Sequence, residues 1–228
     1  MLLKTSGIVI NYLKYRESSI IVRIFTRELG LKSYIVNSVR SPKAKTKMGF
    51  FQPLTILDLV VYDKEKANLN RISEVKLKLP YHCIPFDFQR SGVAMFVGEV
   101  LGKVIYEDYQ NEALFDFLTH ALSHLDQQST KLHLYPQSFL LETAKFLGFG
   151  SDDPHELFSQ LYGLSQQDDF IKEEKGYLGE IMDHPFSNDL KVPAVFRKKM
   201  LDDLLAFYKI HVEGFSELKS IKVLRSLN

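Results

Sequence analysis

The sequence predicts an α+β protein of two domains: a small five-stranded β-barrel over residues 1–80 and an all-α helical domain over residues 81–228. Three observations carry this expectation. Apolar residues recur at every second position up to Leu79, and at i, i+3 and i+4 once Pro80 and Pro85 are passed. Five alternating segments, parted by polar turns, fit into the first 80 residues, the density of a small closed or partly open barrel. Charge divides at the same place. Residues 1–80 hold 15 Lys and Arg against 6 Asp and Glu, a net of +9, whereas residues 81–228 hold 14 against 22, a net of −8. Such a division within a chain of overall charge +1 marks two units with different partners.

In the first strand Ile8, Ile10 and Tyr12 share a face, and in the second Ile20, Val22 and Ile24 do so. The polar stretch 14–18 turns the chain between them. Residues 27–30 make the next turn, where Gly30 supplies a positive φ. The third strand runs from Leu31 to Val39, with Leu31, Ser33, Ile35, Asn37 and Val39 on one face. A fourth, residues 54–62, is nearly all apolar and therefore central. After a polar hairpin loop at 63–68, a fifth over 69–79 carries Arg71, Glu74, Lys76 and Lys78 on a wet face. Beyond Pro80 the period becomes helical. Val93, Val97, Val100 and Val104 form one stripe. Leu114, Leu118, Ala121, Leu122 and Leu125 form the next, behind Asn111 as N-cap. Leu140, Ala144 and Leu147 form a third, closed by Gly148 and Gly150. Asp152, Asp153 and Pro154 open a short helix. Residues 165–189 are polar and Gly-spotted, which reads as loops or a small β-excursion. Pro193 opens a long helix through Phe196, Met200, Leu204, Phe207 and Tyr208, ended by Gly214. A short helical tail covers 218–227.

Composition is that of a globular protein, 45% hydrophobic and 25% charged over 228 residues. No apolar run approaches the ~18 residues of a membrane span. The N-terminus leads into strand-like sequence without a secretory hydrophobic region, so cytoplasmic residence is the expectation. The single cysteine, Cys83, excludes an internal disulfide and a multi-cysteine metal site. No phosphate-binding glycine loop and no G-x-S-x-G occurs. His120 and His124 stand at i, i+4 without a third ligand nearby, and a solvated helix face accounts for them better than a metal. Neighbouring acids such as Asp152/Asp153 and Asp202/Asp203 diverge by about 100° on a helix and do not make a shared carboxylate site. The expectation is a protein without enzymatic activity, cofactor or metal.

The basic half is more specific. Arg40, Lys43, Lys45 and Lys47 follow the third strand within eight residues, with no acid among them. Four unpaired cations cannot leave water, so this loop faces solvent or an anion arriving from it. Nucleic acid is the polyanion that fits; a solvated turn kept for solubility is the competing reading. Arg16, Arg23, Arg27 and Lys32, together with Lys14, lie at or near the ends of the first three strands and extend the patch. Of the interleaved aromatics, Tyr15 and Tyr34 are the ones expected to be exposed for stacking on bases.

These segments resemble the RecO family of bacterial recombinational repair proteins. The likeness begins with G-I-V-I at 7–10 and is most specific in Y-R-E-S-S-I-I-V-R-I-F-T-R-E-L-G at 15–30. It continues in Y-I-V-N-S-V-R at 34–40, Q-P-L at 52–54 and R-I-S-E-V at 71–75. In the helical part E-V-L at 99–101, L-F-D-F-L at 114–118 and L-G-F at 147–149 also match. The resemblance implies an N-terminal OB-fold followed by a helical domain. It implies binding to single- and double-stranded DNA and annealing of complementary strands. As partners it implies RecR and the C-terminal tail of single-stranded-DNA-binding protein, with RecA loaded indirectly, in the cytoplasm at the nucleoid. Many family members insert a four-cysteine zinc module in the helical domain. Here the corresponding stretch, about 151–192, has no cysteine, so packing by Phe158, Tyr162, Phe170, Tyr177 and Phe186 must replace it. An OB-fold module that binds RNA, or a protein adaptor without a repair role, is the alternative.

Overall fold

The computed structural model describes residues 1–226 apart from 43, 45, 64–68 and 164–168. Strands β1 (Leu2–Tyr15), β2 (Ser19–Thr26), β3 (Gly30–Val36), β4 (Ile56–Tyr62) and β5 (Asn70–Leu79) close a barrel in the order β1-β2-β3-β5-β4. Neighbours are antiparallel except β3 and β5, which pair in parallel at Tyr34–Asn70 and Ile35–Arg71. β3 and β5 close the barrel over these two pairs only, and the β3 edge at Leu31 bonds the backbone of residues 108 and 109 instead. Val9, Val22, Ile24, Tyr34, Phe51 and Leu57 are among the residues that fill the interior. The five-stranded barrel is an OB-fold, and helices follow it, as the resemblance implied.

Several boundaries differ from the alternation pattern. The expected single face of the first strand is interrupted. Ile8, Val9 and Ile10 are all buried because the β1–β2 register shifts between Val9 and Asn11, the mark of a bulge. The third strand stops at Val36 rather than Val39, since Ser38 adopts φ +58 and turns the chain. Val39 nevertheless plugs into the barrel core. The fourth begins at Ile56, after Leu54 at φ +68. The expected hairpin loop after Tyr62 lies largely outside the described residues. Exposed Arg71, Glu74, Lys76 and Lys78 give β5 its wet face.

Among the described residues seven helices follow: α1 (Phe88–Val104), α2 (Glu112–Leu125), α3 (Tyr135–Leu147), α4 (Pro154–Tyr162), α5 (Asp169–Asp183), α6 (Ala194–His211) and α7 (Ile221–Ser226). Three caps are those the sequence signalled, whereas α6 ends at His211 with Val212 as its C-cap rather than at Gly214. The Asn111 side chain accepts from Leu114 N at 2.9 Å, Asp153 accepts from His155 N at 2.8 Å, and Gly148 closes α3 at φ +86. Helix α5 replaces the expected loops or β-excursion. Its inward positions are Glu174, Leu178, Ile181 and Met182, a helical stripe that a buried glutamate disguises as polar.

The chain divides into two compact units. One comprises Met1–His82 and Val100–His124, the other Cys83–Glu99 and Leu125–Asn228. The second is built on α3 against α6, where Tyr208 donates to the Leu140 carbonyl at 2.8 Å. Buried Arg90 holds its Leu125–Thr130 turn by donating to the carbonyls of Leu125, Gln128 and Thr130. Aromatic rings pack the stretch that lacks a zinc module. Phe158 stacks on Tyr162, Phe170 and Tyr177 lie against Phe196 at 4.5 and 5.1 Å, and Phe186 meets Tyr135 at 5.0 Å.

Candidate nucleic-acid interface

Arg40 organises the basic edge of the barrel. Its backbone N–H donates to Ser18 O at 2.9 Å, its Nη2 to Arg16 O at 2.6 Å and its Nε to Ser19 O at 3.3 Å. One guanidinium thereby ties the turn between β1 and β2 to the segment after β3, while its charge stays at the surface. Buried Val39 anchors that segment from below. Arg16 sits at the tip of the turn in the left-handed region (φ +50), with its guanidinium 5.2 Å over the Tyr15 ring. Lys47, exposed, precedes the 3-10 turn Met48–Phe51 and accepts from Phe50 N through its carbonyl. Among the described residues, Arg16 and Lys47 make no ion pair. Lys43 and Lys45 lie outside the described residues.

The other three cations are engaged. Arg27 donates through Nε and Nη2 to both oxygens of Asp116, at 2.8 and 2.9 Å, and its Nη1 lies 2.7 Å from Glu112. This bidentate pair raises the Arg27 pKa and holds the Asp116 carboxyl below the usual carboxylate range. Arg23 Nε lies 3.7 Å from Glu107, and Lys32 pairs with Asp108. Thus Arg16, Arg40 and Lys47 belong to the loop edge, and Arg23, Arg27 and Lys32 to a face answered by carboxylates. Sequence reasoning passed over those carboxylates. The signal was present for two of them, since Glu112 and Asp116 stand at i, i+4 and so share a side in the first turns of α2.

Of the two rings expected to be exposed, Tyr15 is half-buried beneath Arg16. Tyr34 is a correction. At 1% exposure it is part of the barrel core, and burial pushes its phenol pKa up. A five-stranded barrel this narrow needs large side chains to fill it, and Tyr34 is one of the largest fully buried.

In the second unit a cleft of about 560 Å³ is lined by Lys131, His133, Leu190, Lys191, Val192 and Arg197, with Asp189 as its acid. It combines an apolar wall with cations. Val93, Val97, Val100 and Val104 are all buried, as is Phe196, and Lys199 is taken by Asp203. His120 bonds the Asp116 carbonyl through Nδ1 at 2.7 Å. Among the described residues no three His, Cys, Asp or Glu side chains are placed to hold a metal.

A closed five-stranded barrel with a cationic loop edge, carried with a set of helices, defines the class: an OB-fold protein with an attached helical domain. Comparison with known proteins narrows this. A family model described as Recombination protein O N terminal matches residues 1–81, and one described as Recombination protein O C terminal matches residues 85–153. DNA repair protein RecO of Flavobacterium psychrophilum is 37% identical over 100% of this chain and 99% of its own length. The protein of that name from Flavobacterium johnsoniae is also 37% identical, and that from Phocaeicola vulgatus 31%, each over 100% of this chain and 99% of its own. The chain belongs to the RecO family of DNA repair proteins.

Proposed function

We propose that this chain is a non-enzymatic mediator of recombinational repair. It binds single- and double-stranded DNA, anneals complementary strands and, with RecR, helps load RecA on DNA coated by single-strand-binding protein. The carrying observation is the Arg40 clamp on the Arg16 turn, in a basic segment where, among the described residues, Arg16 and Lys47 make no ion pair. Arg16, Arg40 and Lys47, with Lys43 and Lys45 of the same loop, contact phosphates. Annealing needs no covalent chemistry. Two backbones must be neutralised while the bases stay available to pair, which surface cations achieve by releasing counterions. The work takes place in the cytoplasm at the nucleoid. No cofactor enters it.

The cleft lined by Lys131, Leu190 and Arg197 receives the C-terminal tail of single-strand-binding protein. An acidic tail ending in an apolar residue and a free carboxylate needs a greasy wall and one or two cations, and this cleft has both.

Competition decides between this reading and an RNA-binding module. Labelled single-stranded DNA bound to the full chain is displaced by unlabelled DNA or by RNA of the same length and base order. DNA is expected to compete at least as well as RNA. A tenfold advantage for RNA would overturn the repair reading. Replacing Arg197 by Glu should abolish capture of a tail peptide while leaving DNA affinity unchanged.

A further inference from the structure

The connection between α1 and α2 lies on the barrel at the edge of β3. Its backbone is laced to β3: Leu31 N–H donates to Tyr109 O at 3.0 Å, and Asp108 N–H donates to Leu31 O at 3.1 Å. Gly30 permits this approach. It sits at φ +70, and a Cβ there would come within 2.5 Å of the Tyr109 carbonyl. So placed, the connection presents Glu107 to Arg23 and Ser33, and Asp108 to Lys32. Arg23 and Lys32 belong to neighbouring strands, one residue out of register, since Arg23 pairs with Ser33 and Ile24 with Lys32. The two carboxylates therefore answer two adjacent barrel cations.

The anchoring is uneven. Arg27 is locked by Glu112 and Asp116 of α2, and Phe25 packs on Phe115 with ring centroids 6.0 Å apart. Helix α2 is fixed at this end. At the tip the backbone is bonded to β3 and Tyr109 stacks on Phe25 at 6.3 Å, but the two carboxylate side chains are held less firmly. Glu107 and Asp108 are outside any helix, their side chains are 49% and 72% exposed, and Asp108 sits at φ +61. Exposed pairs of this kind hold weakly and are screened by salt. The two side chains can swing away from Arg23 and Lys32 while the backbone of the tip stays on β3 and Arg27 keeps α2 in place.

The geometry points to an intramolecular competitor: Glu107 and Asp108 occupy a second phosphate-binding position on the barrel, made of Arg23 and Lys32, and nucleic-acid phosphates displace them. The inference rests on the proposed DNA-binding role and extends it. The bound surface is wider than the loop edge, and the chain sets its own affinity below what its cations allow. Carboxylates also prefer to face cations rather than phosphates, so the tip favours release once the strand moves on.

The test compares the full chain with E107Q/D108N and with E107Q/D108N/R23Q/K32Q. Affinity for an oligonucleotide is measured at several salt concentrations, with circular dichroism as the check on folding. The exchanges to Gln and Asn keep shape and remove charge. Relieving two exposed pairs should tighten binding about 2- to 30-fold at low salt. The salt dependence should steepen by roughly 1.4 to 1.8, at about 0.7–0.9 for each additional phosphate neutralised. In the quadruple variant the gain should vanish, because it acts through Arg23 and Lys32. A gain that survives there would not act through Arg23 and Lys32 and would overturn the inference, as would unchanged affinity in folded E107Q/D108N. If wild type binds as proposed but the double variant does not differ, only the competitor falls. If neither protein binds DNA, the proposed function falls with it.

Discussion

Arg40 shows what one side chain contributes when its partners are backbone carbonyls. It could be read from sequence as another loop cation. In the fold it bonds Arg16 O and Ser19 O, and so positions Arg16 as well as carrying charge itself. Replacing Arg40 by Lys keeps the charge but loses the fork that reaches two carbonyls at once. Arg40→Lys should therefore lower stability by about 1–2 kcal/mol, the worth of charged hydrogen bonds at a partly exposed site. DNA affinity should fall with it, despite the unchanged net charge. Chemical denaturation with parallel binding curves checks both. A Lys variant as stable and as tight as wild type would reduce Arg40 to a point charge. Tyr34 teaches the complementary lesson. An alternating strand shows that a residue has a side, but not which side is inward.

Helix α5 was the element least legible in sequence, and Glu174 is why. Its side chain is fully buried and takes an apolar position in the stripe. Burial raises its pKa from 4.5 to about 7, with the nearby Asp203 carboxylate pushing the same way and Lys199, 4.0 Å off, opposing. Asp203 already holds Lys199 and accepts from Tyr162 Oη at 2.6 Å, so the single lysine is shared. A carboxyl with a raised folded-state pKa binds its proton more tightly in the native than in the unfolded chain. Stability should thus fall as pH rises from about 4.5 to about 7 and level off above that. The span is up to about 3 kcal/mol at 1.36 kcal/mol per pH unit. Glu174→Gln should flatten this dependence, as read by denaturation at pH 5 and pH 8. Asp116 acts in the opposite sense. Its carboxyl is held low by Arg27, so its contribution is present above the unfolded value and is lost only as pH falls through the folded one.

At the scale of the whole chain, the basic loop places four cations, Arg40, Lys43, Lys45 and Lys47, within eight residues with no acid among them. If phosphate contacts dominate binding, log K falls linearly with log salt. Changing Lys43, Lys45 and Lys47 together to Ala should flatten that slope by roughly two to three units, at about 0.7–0.9 for each phosphate left without its lysine. An unchanged slope would take the loop out of the interface. Metal content is a second whole-chain property. With one cysteine in the sequence, a four-thiolate zinc site cannot form, and elemental analysis should find no stoichiometric zinc. One zinc per chain resisting dialysis would point to His120 and His124.

Periodicity alone determined the barrel, the helices with clean stripes and their caps, because spacing and capping are local matters that each segment writes into its own residues. The charge division and the loop cations were legible for the same reason. Tertiary structure decided the rest. The carboxylates at 107–116 are remote from Arg23, Arg27 and Lys32 in sequence, so only folding shows that they meet. Tyr34 is core because closure chose its face. Glu174 is helix interior because Lys199 and Asp203 share its surroundings. A pairing between distant segments depends on where the backbone carries them, and no window of sequence around either partner contains that information.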